Sequence, residues 1–190
     1  TCDLYWKTNT APADDGKGNL RSINVEISNL SWEARANETS LLEIKKDRYQ
    51  KQDNRWRLIL PENYRDKIRT PGFIPIPARQ EDEKGYFSRT VNGKVVNMWD
   101  YTEEQYQALI QLCIGIHKLL PRVELKIPFN ESTDFIPLDQ IENYSDFCGI
   151  LGHAHLQGEQ GEGIAVKYDP GSAMDWGRLR RAFAVEAGQI

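Results

Sequence analysis

The chain lacks the long apolar segments and the cysteine patterns that mark several large classes of protein. No apolar run approaches the roughly 18 residues that a membrane-spanning helix needs, so the sequence predicts no membrane span. The 3 cysteines, Cys2, Cys113 and Cys148, form an odd number and contain no C-x-x-C spacing. This pattern argues against a disulfide scaffold and against a zinc site built from cysteines. Cys113 and Cys148 lie in apolar runs, which predicts that both thiols are buried.

The sequence also lacks an excess of basic residues. The 28 acidic and 24 basic residues are spread along the chain and give a formal net charge of -4. This balance predicts neither a nucleic acid nor an anionic membrane as partner. A length of 190 residues with 39% hydrophobic residues is sufficient for one domain with a single core, so we expect residues 1–190 to form one domain.

Three short segments have the composition of strands. In SINVEIS (22–28) apolar and polar residues alternate, which predicts a strand that carries Glu26 on its polar face. WRLILP (56–61) is a second candidate. TVNGKVV (90–96) contains the Asn-Gly pair that is typical of a two-residue hairpin turn.

Two helices and one further strand follow. YTEEQYQALIQLCIGIHKLL (101–120) repeats apolar residues at helical spacing, and Thr102 with Gln105 forms a capping-box pattern. On this helix His117 falls on the apolar seam, so we expect a packed histidine there and not a ligand. FCGILGH (147–153) predicts a short strand that ends at His153, and a last amphipathic helix follows Asp175. Helices and strands therefore interleave, which predicts an α/β (α+β) fold with a mixed central β-sheet flanked by helices.

The segment from 149 to 171 concentrates groups that a hydrolytic zinc site uses. Catalytic zinc takes three protein ligands from histidine and carboxylate and keeps a fourth position for water. His153 and Asp169 are candidates for two of them, 16 residues apart across a glycine-rich stretch. Lys167 precedes Asp169 by two positions, so in an extended segment its ammonium would lie on the same side and meet a developing oxyanion.

Four segments together resemble the zinc-dependent N-acetylmuramoyl-L-alanine amidases, the amidase-2 group that shares its fold with peptidoglycan recognition proteins. The closing run GILGHAHLQ followed by KYDPGSAMDWGRL resembles the family's Gly-His pair and Lys-x-Asp-Pro-Gly-x-x-x-Asp-Trp signature. SINVEIS is similar to its Ser-Ile-Gly-Ile-Glu strand, and YTEEQYQAL to its Tyr-x-x-x-Gln-x-x-x-Leu helix. The segments stand in the family's order and cover about a third of the chain, and the closing run is the most specific of them.

The resemblance implies a function and a role for each matched residue. It makes His153 and Asp169 zinc ligands, Glu26 the partner that activates water, and Lys167 the stabiliser of the tetrahedral intermediate. The implied reaction is hydrolysis of the amide between the lactyl group of N-acetylmuramic acid and L-alanine. It implies Zn²⁺ as cofactor, peptidoglycan as substrate, and a secreted, periplasmic or cell-wall-associated bacteriolytic protein, a phage-type lysin included. Compared with the family, residues 30–97 form a long insertion.

The family's first histidine ligand, which precedes the Glu strand, has no counterpart, because residues 1–25 contain no histidine. The chain begins at Thr1, so one expectation is that an N-terminal strand or strands of the fold are missing here or supplied by another chain. A second is that His155 is the third ligand, since His-x-His on a strand places both rings on one face, although a loop histidine that faces solvent is the commoner outcome. A third is that the ligand is lost, which leaves a non-catalytic module that binds muropeptides. A metal-free α/β domain of unrelated function is the remaining alternative.

Overall fold

The computed structural model describes residues 22–29, 32–33, 48–65, 67, 69–70, 72–142, 144–156 and 166–189. The elements within these ranges, numbered in chain order, are β1 (Trp32–Glu33), β2 (Tyr49–Gln52), β3 (Arg55–Leu58), α1 (Glu62–Arg65), β4 (Phe87–Val91), β5 (Lys94–Met98), α2 (Glu103–Leu119), α3 (His153–Leu156) and α4 (Trp176–Glu186), with a 3-10 turn at Tyr144–Asp146. Helices and small sheets are both present, so the class is α+β.

The strands form two antiparallel sheets. β4 and β5 pair as a hairpin, β1 adds to the other edge of β5, and β2 pairs only with β3. The β4–β5 turn has Asn92 at φ 45° and Gly93 at φ 74°, the left-handed conformation that a two-residue turn requires and that Asn and Gly tolerate. This confirms the predicted hairpin. Its strands, which belong to the last part of the 30–97 span, bury Phe87, Val91 and Val96.

The two long helices lie side by side and run in the same direction. Arg178 at the start of α4 bonds to Glu103 at the start of α2 at 2.7 Å, and Lys118 near the end of α2 pairs with Glu186 at the end of α4, also at 2.7 Å. α2 begins with the predicted capping box of Thr102 and Gln105. α4 begins at its N-cap Asp175, whose carboxylate accepts the Arg178 backbone N–H at 3.0 Å. Both helix predictions are confirmed.

One apolar core joins the hairpin to these helices. Its buried members are Phe87, Met98, Tyr101, Tyr106, Cys113, Ile127, Ala173, Met174, Trp176, Leu179 and Phe183. The β2–β3 hairpin packs on this body through Trp99, which is fully buried and stacks on Tyr49 with ring centroids 4.0 Å apart. The predicted strand at 56–61 is confirmed only in its first half, because β3 ends at Leu58.

Several predictions from the sequence are wrong in detail. Residues 22–28 lie beside the core, but only Asn24 makes a strand-type bridge, so no strand forms there. Residues 147–152 are irregular, and His153 begins a helix instead of ending a strand. Cys148 is exposed, whereas Cys113 is buried as predicted. Every sheet in the described ranges is antiparallel, so the predicted mixed sheet is not found in them.

The helices of the described ranges are too short and too polar to cross a lipid bilayer.

Candidate functional site

His153 and Asp169 come together as the sequence predicts. The His153 Nδ1 atom and the Asp169 Oδ2 atom are 3.0 Å apart, which is a hydrogen bond between the imidazole and the carboxylate. The two side chains are 35% and 52% exposed, so the pair is open to solvent on one side. This juxtaposition of a histidine and a carboxylate at the surface is the core of the candidate site.

The backbone around the pair fixes this geometry. His153 is the first residue of α3, and the N–H of the next residue, Ala154, donates to the Asp169 carbonyl at 2.9 Å. Directly before His153, Gly152 packs so closely that a Cβ added to it would lie 2.4 Å from Pro170 Cδ and 3.1 Å from a Trp176 ring carbon. The absence of a side chain at Gly152 therefore allows the two segments to approach.

Replacement of Gly152 by alanine is expected to lower the free energy of unfolding by about 1–3 kcal/mol, because overpacking a close contact costs that much. Gly115→Ala is the matched control, since a Cβ at that helical position meets no atom within 4 Å. The control should raise stability by about 0.5–1 kcal/mol, the difference in helix preference between the two residues. Urea unfolding of both variants measures the two changes, and equal stability of Gly152→Ala and wild type would contradict the proposed contact.

Electrostatics favours the ionised form of Asp169. Partial burial is the largest single influence and opposes ionisation of this carboxyl. The hydrogen bond and charge of His153, a backbone hydrogen bond of Asp169 and the charge of Lys167 together outweigh it. The pKa of Asp169 therefore lies below its usual value. A carboxylate that stays ionised and faces solvent is a suitable ligand for a divalent cation. The Lys167 ammonium therefore acts on the charge of Asp169, while its role toward a substrate stays a prediction.

Glu26 is not joined to this pair. Its side chain is exposed, and no hydrogen bond or ion pair links it to His153 or Asp169 in the described part of the chain. The segment that carries Glu26 is attached instead to the start of α2, where the Gln105 side chain donates to the Ser28 carbonyl at 2.7 Å. A catalytic role of Glu26 therefore rests on the sequence resemblance.

His155 is a structural residue in this fold. Its ring is 1% exposed; Nδ1 accepts the Gly152 N–H at 2.9 Å, so Nε2 carries the proton and donates to the Pro137 carbonyl, also at 2.9 Å. Burial lowers its pKa, and the bond to Pro137 and the charge of Asp139 only partly oppose that shift. With both nitrogens bound to the backbone, His155 does not face His153 as a third ligand. The expectation of two rings on one face fails because the segment is a helix and not a strand.

His117 is half-buried and its Nδ1 atom lies 2.8 Å from the Val123 carbonyl oxygen, so it is a packed histidine as predicted.

The pair meets part of the requirement for zinc. Two ligands of a tetrahedral zinc at the usual bond lengths lie about 3.3 Å apart, so the 3.0 Å pair would need to open only slightly. Within the described ranges, no group of three or more histidine, cysteine, aspartate or glutamate side chains converges. The described residues therefore offer two candidate zinc donors, and a complete site would need a third ligand from outside these ranges.

A buried ionic network that the sequence did not reveal holds the Asp169-to-Trp176 segment in place. The Asp100 side chain is fully buried and accepts from Arg79 Nε at 2.8 Å and from the Tyr106 hydroxyl at 2.5 Å. The Arg79 guanidinium also donates to the Ala173 carbonyl, and the Asp175 N–H donates to the Tyr106 oxygen at 2.8 Å. The segment that follows Asp169 is thus tied to the end of β5 and to α2.

A tyrosine adds a second attachment. The Tyr101 hydroxyl donates to the Pro170 carbonyl at 3.0 Å, directly after Asp169. Burial raises the pKa of Tyr101, and the charges of Asp169 and Asp100 add to that effect, so this hydroxyl keeps its proton.

No known family model, curated protein or solved structure matches the chain.

Proposed function

We propose that the chain is a zinc-dependent amidase of the peptidoglycan recognition protein-like fold, which hydrolyses the amide between the lactyl group of N-acetylmuramic acid and L-alanine in peptidoglycan. The observation that supports this function best is the solvent-open His153–Asp169 pair, because the two residues that the family signature marks as ligands lie 3.0 Å apart. The Asp-Trp end of the same closing run has a structural place in this fold, since Asp175 is the N-cap of α4 and Trp176 is buried.

In this function His153 and Asp169 hold the metal. When bound, Zn²⁺ supplies a Lewis acid that lowers the pKa of water and polarises the amide carbonyl. Asp169 is suited to its part because it stays ionised, and His153 because its ring is held by α3 next to that carboxylate. Water adds to the carbonyl carbon, the C–N bond breaks, and the products are the lactyl carboxylate and the free amino group of L-alanine.

The other two residues act on protons and charge. Lys167 precedes Asp169 by two positions and contributes a positive charge next to it, so its ammonium can stabilise the oxygen that becomes negative in the transition state. Glu26 takes a proton from the attacking water and returns one to the departing amine. In the described structure Glu26 is solvent-exposed on the segment beside α2, and the proposed role requires that it face the bound substrate.

Alanine at Lys167 or at Glu26 is expected to reduce turnover of purified peptidoglycan by about 10²- to 10³-fold, because each group acts in the transition state. Zinc content should remain at the wild-type value, since neither residue is a proposed ligand. Lys118→Ala removes a lysine that pairs with Glu186 at the surface and is the control for loss of charge. Wild-type turnover in both test variants would contradict the assigned roles.

A second function has one observation in its favour. The described residues provide two metal donors that already bond to each other, an arrangement that a non-catalytic muropeptide-binding module of the same fold could retain. Such a module would bind soluble muropeptides and release no amino groups from them, with or without added zinc. An amidase would release L-alanine amino groups, and that release depends on zinc.

A further inference from the structure

The side chain of Asn92, at the tip of the β4–β5 hairpin, bonds to the backbone next to the candidate site. Its Nδ2 group donates to the Ala154 carbonyl at 3.0 Å and to the Lys167 carbonyl at 2.7 Å. Its Oδ1 atom accepts the Gln140 N–H at 2.8 Å, and its backbone N–H donates to the Asp139 carboxylate. Both donors and the acceptor of one carboxamide are therefore used on three separate segments of the chain.

Two of these contacts lie on the segments that carry the His–Asp pair. Ala154 directly follows His153, and Lys167 precedes Asp169 by two residues. One amide group thus bridges the backbones on either side of the pair, and the Ala154 N–H to Asp169 carbonyl bond at 2.9 Å completes the link. The hydrogen bond between His153 and Asp169 lies at a half-exposed surface, so that bond alone does not hold the two segments together. A shift of either segment would therefore separate the imidazole from the carboxylate.

We propose that Asn92 is a positioning residue that holds His153 and Asp169 in register by clamping the backbones of their two segments. The part of this inference that concerns metal affinity rests on the proposed function. Partners that only orient metal ligands are worth about 10- to 100-fold in metal affinity. Asn92 has this role through the Ala154 and Lys167 backbone carbonyls, so it is a positioning residue and not itself a proposed metal ligand.

The alternative role of Asn92 is to shape the turn, since it has φ 45°. Two variants separate the roles. Asn92→Gly keeps the left-handed conformation and removes the carboxamide. Asn92→Asp also tolerates this conformation and can still accept the Gln140 N–H, but it has no donor for the two carbonyls. Asn54→Gly is the matched control, because Asn54 lies at φ 61° in the β2–β3 turn and its side chain is exposed.

The decisive measurement is the tautomer of His153, read by ¹⁵N NMR of histidine-labelled protein at a pH where the ring is neutral. In the wild type the Nδ1–H form is expected, because Nδ1 must carry the proton that it donates to ionised Asp169. Asn92→Gly and Asn92→Asp should shift the ring toward the Nε2–H form, and Asn54→Gly should not. If one of the two Asn92 variants does not fold, the other decides. A wild-type tautomer in the folded Asn92 variants would overturn the proposal.

Zinc titration by calorimetry then tests the metal part separately. The Kd for ZnCl₂ should rise by about 10- to 100-fold in the Asn92 variants. A wild-type chain that takes up no zinc would contradict the proposed function, while the tautomer comparison would still decide the role of Asn92. A wild-type chain that binds zinc, with an unchanged Kd in the Asn92 variants, would overturn the metal part of the positioning role.

Discussion

Replacing His153 or Asp169 by alanine is expected to abolish stoichiometric zinc binding. The two residues supply the only pair of convergent imidazole and carboxylate donors that we find at the surface of the described ranges, 3.0 Å apart. Removal of either leaves one donor, and we expect the zinc affinity to fall by more than about 100-fold, since loss of a partner that merely orients a ligand costs about 10- to 100-fold. Metal analysis after dialysis, together with calorimetry, measures the change.

The control for this experiment is His117→Ala. His117 lies on α2, where its ring bonds to the Val123 carbonyl. Its replacement by alanine should therefore leave the zinc content unchanged. A second comparison, His155→Ala, distinguishes a structural role from a ligand role. We expect this variant to be less stable, because it loses a buried ring that makes two hydrogen bonds. The amount of zinc bound per folded molecule should stay at the wild-type value. Stoichiometric zinc in both His153→Ala and Asp169→Ala would show that the site is assigned to the wrong residues.

Replacing Asp100 by alanine is expected to lower the free energy of unfolding by about 3–5 kcal/mol, the cost of removing one partner from a buried ionic pair. Its carboxylate accepts the Arg79 and Tyr101 backbone N–H groups at 3.1 and 2.9 Å in addition to the Arg79 and Tyr106 side chains. Alanine would leave these donors unsatisfied in the core. Denaturant unfolding followed by tryptophan fluorescence measures the loss.

Glu124→Ala is the matched control, since Glu124 forms an exposed ion pair with Lys126 at 2.7 Å. Pairs of that kind contribute about 0–1 kcal/mol, so the control should remain close to wild type. A loss below about 1 kcal/mol in Asp100→Ala would contradict the anchoring role of the network. If Asp100→Ala loses the expected stability, the segment after Asp169 should also be disturbed, because the network holds the Ala173 carbonyl and the Asp175 N–H.

The elements that could be predicted from the sequence are those whose signals are local. The α2 cap depends on two side chains three residues apart, the hairpin turn on an Asn-Gly pair, and α4 on its N-cap and helical periodicity. In each case the residues that determine the conformation are neighbours in the chain. The proximity of His153 to Asp169 was predicted as well, although the pairing spans 16 residues, because the two residues belong to one signature.

The predicted strand at 147–153 failed for a non-local reason. The apolar run does lie beside another segment, with the Glu124 N–H bonded to the Cys148 carbonyl at 3.2 Å and the Ile150 N–H to the Lys126 carbonyl at 2.8 Å. This pairing is too short to form a strand. Gly149 fits against the Lys126 carbonyl, where a Cβ would lie at 2.6 Å, and the chain then turns into α3. An apolar run alone does not distinguish this packing from a strand.

The long-range contacts that hold the site together could not be predicted from sequence patterns either. Asn92 is 62 residues from Ala154 and 75 from Lys167, and Arg79 is 94 residues from Ala173. Asparagine at a hairpin tip is fully explained by its turn conformation, so its carboxamide gave no separate signal. The structural role of His155 has no sequence signal, because its two partners, the Gly152 N–H and the Pro137 carbonyl, converge only when α3 forms.

The central claim is that this chain hydrolyses the lactyl–L-alanine amide with zinc held by His153 and Asp169. The most direct test incubates the protein with ZnCl₂ and a soluble N-acetylmuramoyl peptide and identifies the products by mass spectrometry, with His153→Ala in parallel. The claim predicts addition of one water, a free lactyl carboxylate and a peptide that begins with a free L-alanine amino group, formed by the wild type alone. Recovery of intact muropeptide from wild-type protein that has bound both zinc and muropeptide, or cleavage at any other bond, would contradict it.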